Sequence, residues 1–249
     1  MCLVIALAGI DETAPLVVGA NRDERLARPA VAATVLRERR PRIVGGRDLQ
    51  AGGTWLAVNE HGVVAALTNR PGPPDGTKRS RGELPLALTA APSAGAGVEH
   101  LLASVRPEQF NSAWMVVGDR HHLFTVDMSS GDDVAVAELP AGIHVVENDA
   151  PGTPTAKVRH VRRLLGDDVA DLRGEALVTR IAAVLRVHAP APEGDGPRSA
   201  PCVHGGRYGT RWSSVVVVPA DPRRRPTLAV ADGPPCAAPF VDVSELFAG

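Results

Sequence analysis

Cys2-Leu3-Val4-Ile5-Ala6-Leu7-Ala8, then Asp11-Glu12-Thr13-Ala14-Pro15, then Leu16-Val17-Val18-Gly19-Ala20, closed by Asn21-Arg22-Asp23-Glu24, is the stretch from which the fold is read. Two apolar runs flank a segment of turn composition, and this pattern predicts a β-hairpin. Further strands are expected over 54–58, 63–68, 113–118, 123–127 and 143–147, separated by turns such as Asn59-Glu60-His61-Gly62 and Gly118-Asp119-Arg120. They form a meander of antiparallel pairs. Val158, Val161, Leu164 and Leu165 then share one helical face, as do Leu177, Ile181, Val184 and Leu185. Shorter helical patterns cover 83–90 and 98–105, and strands return at 215–218 and 227–230. Strands, then helices, then strands point to layers of α on β. The Pro- and Gly-rich stretch 189–201 is expected as a mobile surface loop, and the whole chain, 1–249, as one domain.

Composition limits what such a domain can do. Hydrophobic residues make up 44% and charged residues 22%, enough apolar material for a substantial core. Aromatics are only 3%, so Val, Leu, Ile and Ala must build that core. A formal net charge of -1, with no interleaving of basic and aromatic residues, argues against a nucleic-acid partner. Cys2, Cys202 and Cys236 are far apart with no C-x-x-C pair, so neither a disulfide framework nor a zinc site is expected. A reducing cytoplasm fits this usage. The apolar run 3–10 lacks a basic flank and breaks at Asp11 and Glu12, too short for a signal peptide or a membrane span.

Cys2 carries the sharpest chemical consequence. Initiator Met is normally trimmed before a small residue, which would leave a thiol and an α-amine on one residue. The amine's reference pKa of about 7.7–8.0 makes it a local base for a thiol of about 8.5. Read blandly, Cys2 is a small buried residue at the start of a strand. Asn21-Arg22-Asp23-Glu24 follows the second strand and would meet the start of the first if the two pair. There Asp23 could hold the α-ammonium and Arg22 favour the thiolate; the alternative is an exposed turn. Asn69 and Asn148 each close a strand, where an amide can serve a developing oxyanion or simply end the strand. In Gly205-Gly206-Arg207-Tyr208-Gly209-Thr210-Arg211, Arg211 could bind a carboxylate or phosphate beside Tyr208, with a structural turn as the equal alternative. The stretch is no Walker loop, because no Gly-Lys-Ser/Thr follows. Cys202-Val203-His204 offers two ligands for a metal or haem, an incomplete site.

Taken together, Met1-Cys2, Asn21-Arg22-Asp23-Glu24, the stretch from Gly45 to Leu56, Ala66-Leu67-Thr68-Asn69 and Arg207-Tyr208-Gly209-Thr210-Arg211 resemble the NRDE family, also called transport and Golgi organisation protein 2-like. That family is similar to N-terminal-nucleophile (Ntn) hydrolases of the choloylglycine hydrolase and penicillin V acylase type. The resemblance implies an α+β fold, a four-layer αββα sandwich. It also implies Cys2 as nucleophile, Asp23 as the contact of the α-amine, and Asn69 and Asn148 as polar groups near the oxyanion, with Asn21, Arg22 and Glu24 in the same cluster. The bile-salt hydrolase pattern has an Arg just before the Asn, where this chain has Ala20 and carries Arg22 after it. The expected substrate is a linear amide, a thioester or a lipid-like molecule. Two other readings stand beside this one: a carrier of acyl-CoA, lipid or haem on the same fold, and a trafficking role suggested by the family's name.

Overall fold

The computed structural model describes residues 2–128 and 133–248. In chain order come β1 (Cys2–Asp11), β2 (Ala14–Arg25), β3 (Ala30–Arg37), β4 (Ile43–Asp48), β5 (Leu56–Asn59) and β6 (Val64–Asn69). Helices α1 (Glu83–Thr89) and α2 (Ala94–Ser104) precede β7 (Ala113–Gly118), β8 (Leu123–Asp127), β9 (Ala135–Glu138) and β10 (Gly142–Val146). Then follow α3 (Ala156–Leu165), α4 (Gly174–Arg186), β11 (Tyr208–Val218), β12 (Thr227–Ala231) and β13 (Val241–Asp242). One sheet runs β10-β1-β2-β11-β12-β13, the other β3-β4-β5-β6-β7-β8-β9, with antiparallel neighbours throughout.

Three apolar layers explain the stacking. Val4, Ala6, Val18 and Ala20 of the first sheet meet Leu56, Val58, Val64 and Val116 of the second. The opposite face of the first sheet, Leu3, Ile5, Leu7 and Val17, packs on Val161, Ile181 and Leu185 of α3 and α4. Ala65, Met115 and Val117 cover Leu84, Leu88 and Leu101 of α1 and α2 on the far side of the second sheet. The result is the expected αββα sandwich. Because β1 and β2 are buried on both faces, their sequences read as continuous apolar runs rather than alternating ones.

Several expectations change. Asn21 to Asp23 are not in a turn: β2 continues to Arg25, because β11 pairs along its other edge as far as Tyr208↔Arg25. Likewise β11 begins at Tyr208, well before the expected 215, and absorbs most of the glycine-rich stretch. Strands β3 and β4 were not anticipated. In β4 the pair Gly45-Gly46 looks like a turn, yet a Cβ on Gly46 would lie 2.0 Å from the Trp55 ring and one on Gly45 2.2 Å from the Leu56 carbonyl oxygen. Glycine is required there by close approach, which is also why the pattern was unreadable. The stretch 189–201 is at the surface as expected, but it is anchored: Ala191, Ser199 and Ala200 are buried, and the Ala191 N–H donates to Ser199 Oγ at 3.0 Å. No helix among the described residues is long and apolar enough to cross a membrane.

Candidate active site

The β1–β2 register decides which side chains can cooperate. Cys2 lies opposite Arg22, and Leu3 opposite Asn21. Facing residues of an antiparallel pair share a face, and successive residues alternate. Cys2 and Arg22 therefore project together between the sheets, into a cleft of about 420 Å³ also lined by Asp23, Glu24, Trp55 and Asn69. Leu3 and Asn21 project toward the helices.

Asn148, two residues beyond β10, holds the other end of Cys2. Its Oδ1 accepts from the Cys2 nitrogen at 2.7 Å, and its Nδ2 donates to the backbone carbonyl of Asn69. One amide thus ties the start of β1 in the first sheet to the end of β6 in the second. Asn148 accordingly holds the Cys2 nitrogen in place at the mouth of the cleft. One of its two N–H bonds is committed to the Asn69 carbonyl, which leaves one for the expected oxyanion role.

Asp23 is fully buried, and its environment is more elaborate than the sequence suggested. Thr210 Oγ1 donates to Asp23 Oδ1 at 2.6 Å, and Lys157 Nζ of α3 lies 3.6 Å from Oδ2, with side-chain exposures of 2% and 0% for Lys157 and Asp23. Burial raises the Asp23 carboxyl above the ordinary carboxylate range, while Lys157 and the Thr210 hydroxyl pull it back. Burial also pushes the Cys2 thiol up, as does the neighbouring Asp23 carboxylate; a backbone hydrogen bond from Asp23 and the Arg22 guanidinium oppose this. Burial therefore favours the protonated thiol.

Arg22 stacks its guanidinium 4.2 Å from the Trp55 ring centroid and reaches Asp48 at 3.4 Å and Glu24 at 3.9 Å. Burial lowers its pKa, against the pull of Cys2, Glu24 and Asp48. Arg22 Nη1 and Trp55 Nε1 are buried donors without an acceptor among the described residues. The cleft carries five cationic side chains, Arg22, Arg28, Lys78, Arg79 and Arg81, against three carboxylates, Asp23, Glu24 and Asp48. Arg81 donates to the Ser112 carbonyl at 3.1 Å and Lys78 to the Phe110 carbonyl at 3.3 Å, so backbone oxygens and not carboxylates anchor these two.

Three sequence candidates lie elsewhere. Asn21 spends its Nδ2 on the carbonyls of Leu185 at 3.0 Å and Pro201 at 2.9 Å, and so fastens α4 and the following segment to the sheet. Tyr208 donates its hydroxyl to the Asp23 carbonyl at 2.8 Å, supporting β2 without lining the cleft. Arg211 donates to the Leu26 carbonyl and lines a separate depression with His204 and Asp232. These corrections share one cause: the polar residues are in strands, where alternate positions serve opposite faces. Conversely, Lys157, Arg28 and Arg81 lie outside every motif, and Thr210 fell inside the 207–211 motif without an assigned role. Asp48 and Trp55 fell inside the 45–56 motif, but without an assigned role. A lysine within the buried face of α3 was the one available signal for Lys157.

Two face-to-face antiparallel sheets between helical layers, with a cysteine at the start of the first strand opening into the cleft between them, define an Ntn-hydrolase-like fold. Solved structures agree on the fold. The C2A mutant of conjugated bile acid hydrolase from Clostridium perfringens superposes with a TM-score of 0.56 at 13% identity, covering 100% of this chain and 95% of its own. The Caenorhabditis elegans N-acylethanolamine-hydrolyzing acid amidase ortholog gives 0.58 at 10% identity, covering 87% and 92%. The chain belongs to the Transport and Golgi organisation 2 family, whose model matches residues 1–225. It is 29% identical over 232 residues to the Bos taurus Transport and Golgi organization protein 2 homolog and 27% identical over 232 residues to that of Homo sapiens, in each case across 83% of both chains.

Proposed function

We propose that the protein is an N-terminal cysteine hydrolase or acyltransferase acting on a small anionic amide or thioester. The observation that carries this reading is the clamp of the Cys2 nitrogen on Asn148 beside a cleft rich in arginine and lysine. After removal of Met1, the Cys2 sulfur attacks the substrate carbonyl carbon and its proton passes to the α-amine. The candidate donors for the tetrahedral oxyanion are Arg22 Nη1 and Trp55 Nε1, buried groups without an acceptor among the described residues, on two side chains that line the same cleft as Cys2. Collapse of the oxyanion breaks the bond to the leaving amine or thiol, which takes the proton from the α-ammonium. Water then attacks the thioester, again giving a proton to the amine, and the acid leaves as the thiol re-forms. The cationic lining selects an anionic group on the substrate; Trp55 and Leu67 offer little apolar wall for a long acyl chain.

The test is hydrolysis of matched acyl amides and thioesters that end in a carboxylate or in a neutral amide. Turnover should depend on Cys2, fall in Asn148→Ala, and favour the carboxylate by about tenfold in kcat/KM, equivalent to about 1.4 kcal/mol. Arg81→Met should reduce that preference. Equal turnover by Cys2→Ala would remove the reading. The same cationic lining also supports a carrier that holds an anionic ligand without reacting, and saturable binding with no turnover in the wild type would put that reading first.

A further inference from the structure

On the side of the molecule where α4 leads into β11, four side chains that are scattered in sequence converge. Cys202 and His204 lie in the segment before β11, Cys236 in the loop after β12, and His188 just past α4. Ligand atoms of His188, His204 and Cys236 all lie within 4.8 Å of one another. Cys202 Sγ is 3.8 Å from Cys236 Sγ and 3.6 Å from His204 Nε2, and His204 Nε2 is 3.0 Å from Cys236 Sγ. We propose that Cys202, Cys236, His204 and His188 form a Cys2His2 site for a zinc ion, with a structural role.

Tetrahedral geometry can be compared edge by edge. With Zn–S of about 2.3 Å and Zn–N of about 2.0–2.1 Å, ligand atoms should stand about 3.8 Å apart for two sulfurs and about 3.6 Å apart for a sulfur and a nitrogen. The Cys202 edges to Cys236 and His204 match, whereas Cys202 lies outside the set of ligand atoms within 4.8 Å of one another, so its edge to the exposed His188 must close as that side chain turns. The His204–Cys236 edge is shorter and must open by roughly half an ångström; both side chains are exposed and can turn. The His188 and His204 rings meet edge-on at 86° with centroids 5.6 Å apart. Two sulfurs 3.8 Å apart are not bonded, since a disulfide is about 2.05 Å. Two thiolates and two imidazoles make a donor set that suits zinc and leaves no open position for a substrate. Binding releases the two thiol protons.

The ion would join three segments, the end of α4, the segment before β11 and the loop after β12. The Cys202 N–H already donates to the Val187 carbonyl at 2.9 Å, and Val203 exchanges hydrogen bonds with Thr210, its N–H donating to Oγ1 at 2.8 Å and its carbonyl accepting from the Thr210 N–H at 2.8 Å. Thr210 Oγ1 in turn donates to Asp23. The zinc would therefore fix the segment that places the Thr210 hydroxyl on the buried Asp23 carboxylate.

The full-length protein, tag-free and kept reduced, should retain about one zinc per chain after gel filtration, and cobalt added to chelator-treated protein should give the intense visible bands and the thiolate charge-transfer absorption of a tetrahedral S2N2 site. Cys236→Ser and His188→Ala change exposed positions and should fold, as circular dichroism would verify. Each should lower retained zinc to below about a tenth per chain. The proposal is overturned if the reduced wild type binds neither metal, if the variants retain as much zinc as the wild type, or if cobalt gives only weak six-coordinate bands. Recovery of a Cys202–Cys236 disulfide from the freshly prepared reduced protein would overturn it too.

Discussion

Replacing Lys157 by Met would leave the Asp23 carboxylate buried opposite a neutral side chain. The pair is 3.6 Å apart with exposures of 2% and 0%, so solvent screens it little. At an effective dielectric of about 20, two unit charges at this separation attract by about 4–5 kcal/mol. Removing one partner from buried pairs costs about 3–5 kcal/mol, because the remaining charge stays desolvated. We expect Lys157→Met to lose stability in that range in urea unfolding followed by the fluorescence of buried Trp114 and Trp212. The double variant Asp23→Asn/Lys157→Met should recover most of the loss, since neither charge is then buried. The pH dependence has a definite sign. Asp23 already has a raised carboxyl pKa, and Lys157 is among the influences that hold it down, so the single variant raises it further. A native state with a raised carboxyl pKa gains stability from the bound proton below the unfolded value and loses it as pH rises through the folded value. The deficit should therefore shrink on acidification and be largest at neutral pH and above. A variant within about 0.5 kcal/mol of wild type at pH 7, or a deficit that grows with acid, would refute the buried-pair account.

Two other perturbations test the frame around the site. Gly46→Ala sets a methyl group 2.0 Å from the Trp55 ring, so it should cost about 1–3 kcal/mol in thermal or urea unfolding and alter the packing of Trp55 on Arg22, visible as a changed near-ultraviolet Trp signal. Asp11 accepts from the Thr13 N–H at 2.8 Å and from the Gly174 N–H at 2.7 Å, fastening the β1–β2 turn to the start of α4. Burial opposes its ionisation, but the hydrogen bonds from Gly174, Thr13 and Ala14 prevail and hold its carboxyl below the usual value. Asp11→Ala should thus cost about 1–3 kcal/mol at neutral pH, and the difference from wild type should fade as pH drops through the lowered Asp11 pKa.

How far the sequence could be read follows from where each signal lies. The first hairpin was legible because two long apolar runs bracket a polar turn, and α3 and α4 because their apolar faces repeat every three to four residues. Strands β3 and β4 were not, since Gly45 and Gly46 mimic a turn and β3 is half-exposed with little alternation. In the site, Cys2, Arg22 and Asp23 were readable from the single act of pairing β1 with β2. Asn21 lies in a strand and not in the turn that its polar neighbours suggest, so its side chain faces away from Arg22, toward α4 and the segment after it. Lys157, Thr210 and Arg81 come from a helix, a distant strand and a loop, and linear spacing carries no trace of contacts made across layers. The same limit applies to Cys236, whose approach to Cys202 and His204 depends on the loop after β12.

The central claim is that Cys2, freed of Met1, is the reactive group of this fold. Intact mass of the purified chain, before and after exposure to an acylating thioester probe, with the label placed by peptide mapping, tests it most directly. The account predicts loss of Met1, one label on Cys2 with second-order kinetics that slow in Asn148→Ala, and none at that site in Cys2→Ala. Retention of Met1, or a folded protein in which Cys2 stays unlabelled while exposed Cys236 reacts, would contradict it.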